Sequence, residues 1–162
     1  MSDRRHVFIS HHFKDDATVD GLVGLLNRAG KDVRNSSIRL KAANAARLER
    51  GEVSDRALKR ALRMKISWAS AVIVLIGRET HKRPWVAFEI EEAHRQGKPI
   101  IGVYERGGTD AALPTEFEKY GSALIRWNSD SILDAIDGRA RPFQNPDGTD
   151  RESVHQTTRT SC

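Results

Sequence analysis

The run Ala71-Val72-Ile73-Val74-Leu75-Ile76, closed by Gly77, is apolar at every position and β-branched at four of six. A strand with one wet face alternates apolar and polar residues. This one does not, so it is expected to be covered on both faces, as in a parallel sheet flanked by helices. It is also far shorter than the ~20 residues that cross a bilayer.

Working upstream, His6-Val7-Phe8-Ile9-Ser10 reads as another short buried strand, ended by the polar pair His11-His12. Asp15 or Asp16 suits the cap of a helix whose stripe Val19, Leu22, Val23 and Leu26 recurs at three- and four-residue spacing. Gly30 is expected to close it. Lys31 to Arg50 is polar, basic and aperiodic, with a faint strand signal from Val33 to Ile38. Val53, Ala57 and Ala61, with Leu58, Leu62 and Ile66, mark a second helix that turns Lys59, Arg60 and Arg63 outward.

Downstream, Pro84 suits a first helical position, and a helix is expected to run to about Gln96, where Gly97 ends it. Pro99 to Tyr104 is a strand, Gly107, Gly108 and Pro114 bracket a loop, and Ala123 to Trp127 is a last strand. Ile132, Leu133 and Ile136 belong to a last helix. Strands alternating with helices predict right-handed crossovers and an α/β fold, a parallel sheet with helices on both faces.

The 162 residues suffice for one domain with a full core. That domain is expected to span residues 1–141. From Pro142 to Cys162 there is little beyond Phe143 and Val154 to bury, so 142–162 reads as a disordered C-terminal tail. Cys162 is the only cysteine, so no internal disulfide argues for an oxidising compartment. The apolar run Val7 to Ile9 is too short for a signal peptide, which makes the cytoplasm the expected location, with no membrane partner. The net charge of +5 is uneven: 12 Lys/Arg stand against 4 Asp/Glu between Arg28 and Lys65. No helix-turn-helix, zinc-finger or aromatic RNA-binding motif accompanies that excess. It reads as a solvated helix face beside a pocket for an anionic ligand, and nucleic acid is not an expected partner.

In open parallel sheets, ligands bind beyond the carboxyl ends of the strands. The first strand ends there at Ser10-His11-His12-Phe13, and the central strand at Gly77, followed by Arg78, Glu79, Thr80 and His81. Glu89 lies a turn or two into the next helix, near the same edge and near the positive end of the helix dipole. Trp85 and Glu89, four residues apart, share a helix face. A carboxylate beside a large aromatic near a crevice is a reasonable catalytic arrangement. Spacing alone favours the plainer reading, a surface glutamate on a charged helix with Trp85 packing beside it. Glu91 and Glu92 read as a solvated face, and Trp68 and Trp127 as core or rim packing. His11, His12 and His81 lack a spaced Cys or Asp to complete a metal site, so no metal is expected. No phosphate loop, dinucleotide-binding glycine motif or nucleophile elbow is present, which disfavours an ATPase, a Rossmann dehydrogenase and an α/β-hydrolase.

Four blocks in register carry a resemblance: Val7-Phe8-Ile9-Ser10; Val74-Leu75-Ile76-Gly77 with Thr80; Trp85-Val86-Ala87-Phe88-Glu89-Ile90; and Gly97-Lys98-Pro99-Ile100-Ile101-Gly102-Val103. Over roughly residues 5 to 127 the chain resembles the TIR-like domains of bacterial anti-phage defence, the Thoeris type. The resemblance implies a flavodoxin-like three-layer fold and cleavage of the nicotinamide–ribose bond of NAD, consumed as substrate with no cofactor. It implies that Glu89 is catalytic, because the family's glutamate lies four residues after a Trp at the start of this helix, here Trp85. It reverses the spacing-only reading of Glu89. It puts Phe8, Ser10, His11, His12 and Phe13 at the nucleotide from the first strand and its loop, and Gly77 and Thr80 from the central one. Asn35 stands where an acidic residue is expected, in a loop near the substrate, which bears on substrate handling and product. The basic stretch Arg34 to Arg50 is a candidate for the pyrophosphate.

The biology implied is a modified or cyclised ADP-ribose signal read by a separate effector protein, with homo-oligomerisation as a common requirement of such enzymes. Two other readings stand beside it: a non-catalytic TIR-like interaction module, and a nucleoside hydrolase or deoxyribosyltransferase on a similar fold.

Overall fold

The computed structural model describes residues 4–11, 16–28, 32–35, 55–78, 80–105 and 112–151. Its centre is a five-stranded sheet: β1 (Arg4–Ser10), β2 (Asp32–Asn35), β3 (Ala71–Ile76), β4 (Ile100–Tyr104) and β5 (Ala123–Ile125). The spatial order is β2-β1-β3-β4-β5, and every neighbouring pair is parallel. This is the flavodoxin-like order, whose topological switch point lies between β1 and β3. The connecting helices are α1 (Asp16–Arg28), α2 (Asp55–Ser67), α3 (Pro84–Arg95), α4 (Thr115–Tyr120) and α5 (Ser129–Asp137).

The expectation for β3 holds: all six residues are buried. Because successive strand residues point to opposite faces, β3 feeds two separate cores. Ala71, Ile73 and Leu75 join Val7 and Ile9 of β1 against Val19, Leu22 and Leu26 of α1 and Ile132 and Ile136 of α5. Val72, Val74 and Ile76 join Phe8 of β1 against Leu58, Leu62 and Ile66 of α2 and Val86, Ile90 and Ala93 of α3. The two apolar helix stripes read from the sequence are therefore the inner faces of opposite layers.

Local chemistry sets the element ends. Pro84 is the first residue of α3, where its missing N–H costs nothing. Gly97 follows that helix at φ +73, a left-handed conformation that glycine adopts without a Cβ penalty. Asn128 caps α5 by accepting the Ser131 N–H at 3.0 Å, and Gly138 closes it at φ +77. The faint strand signal resolves as β2, with residues 36–38 outside the described residues, and β5 ends at Ile125, two residues before Trp127. No helix among the described residues is long and apolar enough to cross a membrane.

Three differences from the sequence reading have physical causes. Between the loop ending at Pro114 and the last strand, a stretch given no element from the sequence forms the short helix α4, signalled only by Phe117 and Tyr120 one turn apart. Phe117 is fully buried and fills the room above Gly102 in β4. Trp68, expected to pack in the core or its rim, is 53% exposed, with the Lys65 ammonium 4.9 Å from its ring centroid.

The third difference is at the boundary. Residues 142–151, expected to belong to the tail, return along the outer edge of β5. Leu124 donates its N–H to the Pro142 carbonyl at 3.0 Å, and Gln144 donates back to the Leu124 carbonyl at 2.8 Å. Tyr104 donates its hydroxyl to the Gln144 carbonyl, and Arg151 donates to the Tyr104 oxygen. Phe143 packs on the α2–α3 core. Composition missed this because backbone bonds to a strand edge need no apolar side chains. Residues 152–162 lie outside the described set.

Two stability measurements follow. A Cβ on Gly102 would come within 2.6 Å of the Phe117 ring and 2.9 Å of Leu124, so Gly102→Ala is expected to destabilise by about 1–3 kcal/mol; unchanged chemical denaturation would refute the packing. A chain ending at Arg141 loses the β5 edge bonds and Phe143, and is expected to be less stable than the full chain by about 1–3 kcal/mol. Equal melting of the two would restore residue 141 as the boundary.

Candidate functional site

Strand alternation decides which residues meet at the switch point. Phe8 points into the α2–α3 core, so Ser10, two residues on, points the same way, toward the helix that follows β3. Ser10 is the last residue of β1 and pairs in register with Val74 of β3. On the helix side, Val86, Glu89, Ile90 and Ala93 recur at three- and four-residue spacing and form the buried face of α3. Glu89 thus occupies a core position of its helix. It does not share an exposed face with Trp85.

The two elements meet in one hydrogen bond. Ser10 Oγ donates to Glu89 Oε1 at 2.6 Å, across a sequence separation of 79 residues. Both residues are 0% exposed. A polar side chain in such a place is tolerated because the bond replaces water. The result is a carboxylate held at the carboxyl end of β1, in the second turn of α3, beside the switch point.

The turn from β3 into α3 is pinned by Thr80. Its Oγ1 accepts the Gly77 N–H at 2.9 Å and donates to the Leu75 carbonyl at 3.0 Å, with the residue 1% exposed. A threonine hydroxyl has one hydrogen, so while this contact is made Thr80 cannot also donate to a ligand. Its place in the structure is that of a clasp holding the start of the helix that bears Glu89.

The other candidates fall into distinct groups. His11, next to Ser10, is buried, and its Nδ1 lies 3.0 Å from the Ile9 carbonyl, which orients the ring back along its own strand. Phe8 is wholly inside the core. Trp85 is half-buried one turn before Glu89 and meets Phe88 edge-on, ring centroids 6.0 Å apart. Asn35 ends β2 level with Val7, about 10 Å along the strand direction from Ser10. His12, Phe13 and the basic stretch beyond Asn35 lie outside the described residues. His81 sits in the short 3₁₀ turn Thr80–Lys82, its Nδ1 buried without a hydrogen-bond partner among the described residues. Among the described residues, no group of three or more His, Cys, Asp or Glu has the arrangement to hold a metal ion.

Sequence reasoning overlooked Glu105. Its carboxylate lies across the end of β3, so close that a Cβ on Gly77 would fall 2.6 Å from Oε1. A side chain at position 77 would have to displace that carboxylate. The available signal was position: Glu105 is the first residue after a fully buried strand, at the carboxyl edge.

Comparison with known proteins agrees with this topology. Residues 8–110 match the family described as "Thoeris protein ThsB, TIR-like domain". Over 106 residues the chain is 32% identical to a protein of Bacillus cereus (strain MSX-D12) named "Putative cyclic ADP-D-ribose synthase ThsB1". The match takes in 62% of this chain and 51% of that protein, so the chain spans about half the length of the relative.

The helix that presents Glu89 is also held through a second buried glutamate. Glu92, expected to be solvated, is 5% exposed. It accepts from Arg95 Nε at 2.8 Å and from Arg95 Nη2, accepts from Gln96 Nε2 at 3.1 Å, and lies 3.8 Å from Arg63 Nε of α2. The Arg95 hydrogen bonds hold its carboxyl below the usual value of 4.5, against an opposing effect of burial. A carboxyl lowered in the folded state stabilises above its unfolded value, and that contribution disappears as pH falls through the folded one. Glu92→Gln is therefore expected to melt lower than wild type near pH 7, by a few degrees at most because both arginines are largely exposed. The gap should persist at pH 5 and close well below pH 4.5; a gap that widens on acidification would overturn the assignment.

Proposed function

The chain belongs to the Thoeris ThsB TIR-like family, and on that premise we propose that it is an NAD-processing enzyme of anti-phage defence whose catalytic group is Glu89. The observation that carries this reading is the Ser10–Glu89 contact: a carboxylate anchored at the carboxyl edge of the sheet, at the switch point where this topology takes its ligands.

The chemistry needs little more than such a group. Glycosidases commonly supply a general acid because their leaving group is an alkoxide. Nicotinamide departs from NAD as a neutral amine, so no proton has to be delivered. As its bond to C1′ of the ribose breaks, positive charge develops on the sugar, and an adjacent fixed carboxylate stabilises it electrostatically or by holding the ribose hydroxyls. Capture of C1′ by water gives ADP-ribose, and capture by a nucleophile within the same molecule gives a cyclic product. The name of the Bacillus cereus relative, a cyclic ADP-D-ribose synthase, favours the cyclic outcome. We read that product as a signal for a separate effector protein, with NAD as substrate and no additional cofactor.

The complete burial of Glu89 favours one rival, a non-catalytic interaction module in which the carboxylate only ties α3 to β1. One experiment separates the two. Purified protein, concentrated and with a crowding agent, is expected to release nicotinamide from NAD, and Glu89→Gln to lose at least about 100-fold of that rate. Equal release by both proteins would remove Glu89 from the mechanism, and absence of release by folded wild type would favour the module.

A further inference from the structure

A glutamate has three side-chain torsions, and its carboxylate acts on a ribosyl carbon only if it is held in one of the few arrangements they allow. Misplacement by about 1 Å can cost on the order of 100-fold in rate. In a core position the surroundings fix its path, but apolar neighbours do not direct its oxygens. The apolar residues that β1 and β3 place on this face are Phe8, Val72, Val74 and Ile76. Ser10, on the same face, gives a carboxylate oxygen a hydrogen bond.

We propose that Ser10 is a positioning residue for the Glu89 carboxylate, a role that rests on the catalytic reading of Glu89 given above. Its single hydroxyl hydrogen goes to Glu89 Oε1 at 2.6 Å. Both partners are fully buried, so bulk water does not compete for the bond. The contact joins the final residue of β1 to the second turn of α3, and so fixes the carboxylate relative to the sheet edge where C1′ would sit. A hydroxyl donor also orients the oxygen without adding a counter-charge of its own, leaving the negative charge available to the developing sugar cation. The thread from Thr80 through Pro84 sets where the helix begins; Ser10 sets where the end of the side chain points.

The test uses three substitutions in the full chain. Ser10→Ala removes the donor. Ser10→Thr keeps it and adds a methyl group, and Ser10→Val has nearly the shape of the Thr variant without the hydroxyl. Any packing defect is shared by the Thr and Val variants, so their difference isolates the hydrogen bond even if the added methyl weakens folding. Nicotinamide release from NAD is measured across substrate concentrations, with circular dichroism and melting confirming folding, and with wild type and Glu89→Gln in parallel. We expect kcat to fall about 10- to 100-fold in the Ala variant, with KM within about threefold of wild type. We expect the Thr variant to exceed the Val variant in kcat by at least about tenfold. Active wild type and inactive Glu89→Gln, with Ala and Val variants that keep wild-type kcat or lose activity only through KM, would overturn the positioning role and leave the enzyme reading standing. Folded wild type that releases no nicotinamide would overturn both.

Discussion

Six consecutive apolar residues in β3, none more than 2% exposed, have to be covered from two sides at once, and this requirement organises the rest of the molecule. A strand dry on both faces sits inside a parallel sheet, and parallel neighbours need crossover helices. The helices are then sorted by parity: odd-numbered residues of β3 meet α1 and α5, even-numbered ones meet α2 and α3. Gly102 gives up its side chain so that Phe117 can complete the second layer. The strand order that results puts the carboxyl ends of β1 and β3 side by side with their connections running to different places, which opens the switch point.

Against that apolar layer, Glu89 is a costly residue. A buried carboxylate is tolerated only with hydrogen bonds to replace its water, and Ser10 provides one from the facing strand. The neighbouring contacts act on the helix that carries it. Thr80 closes the turn before α3, Pro84 begins it, and Glu92 joins it to α2 through Arg63. The two glutamates three residues apart thus have opposite settings: one faces the sheet with a hydroxyl donor, the other lies among guanidinium groups. The two lie on neighbouring parts of one helix face, both buried, and differ in what each is bonded to.

The sheet edge at β5 is covered by the chain itself. β5 is only three residues long, yet its outer backbone groups are bonded by Pro142 and Gln144, and Arg151 ties the returning segment to Tyr104. Covering an edge in this way withdraws it from pairing with other chains. Family membership rests on residues 8–110, so this returning segment is an addition to the matched region that still belongs to the same packed unit.

The β3 run, the stripe Val19-Leu22-Leu26 and the stripe Leu58-Leu62-Ile66 were legible in the sequence because hydrophobic periodicity is a local property, and it determined the fold class and the two helical layers. Pro84 and Gly97 were equally legible as helix limits, since their backbone restrictions travel with the residue. Glu89 was reached through its spacing from Trp85 and the family resemblance, but its burial was not: charge type argues for solvent, and only the tertiary structure turns it toward Ser10, 79 residues away. The same limit hid the clasp formed by Thr80, the carboxylate of Glu105 over Gly77, and the edge bonding of residues 142–144. The last two depend on distant segments brought together by the sheet, while the Thr80 clasp is local and leaves no apolar period to read; no pattern of that kind records which polar groups will face one another once water has been excluded between them.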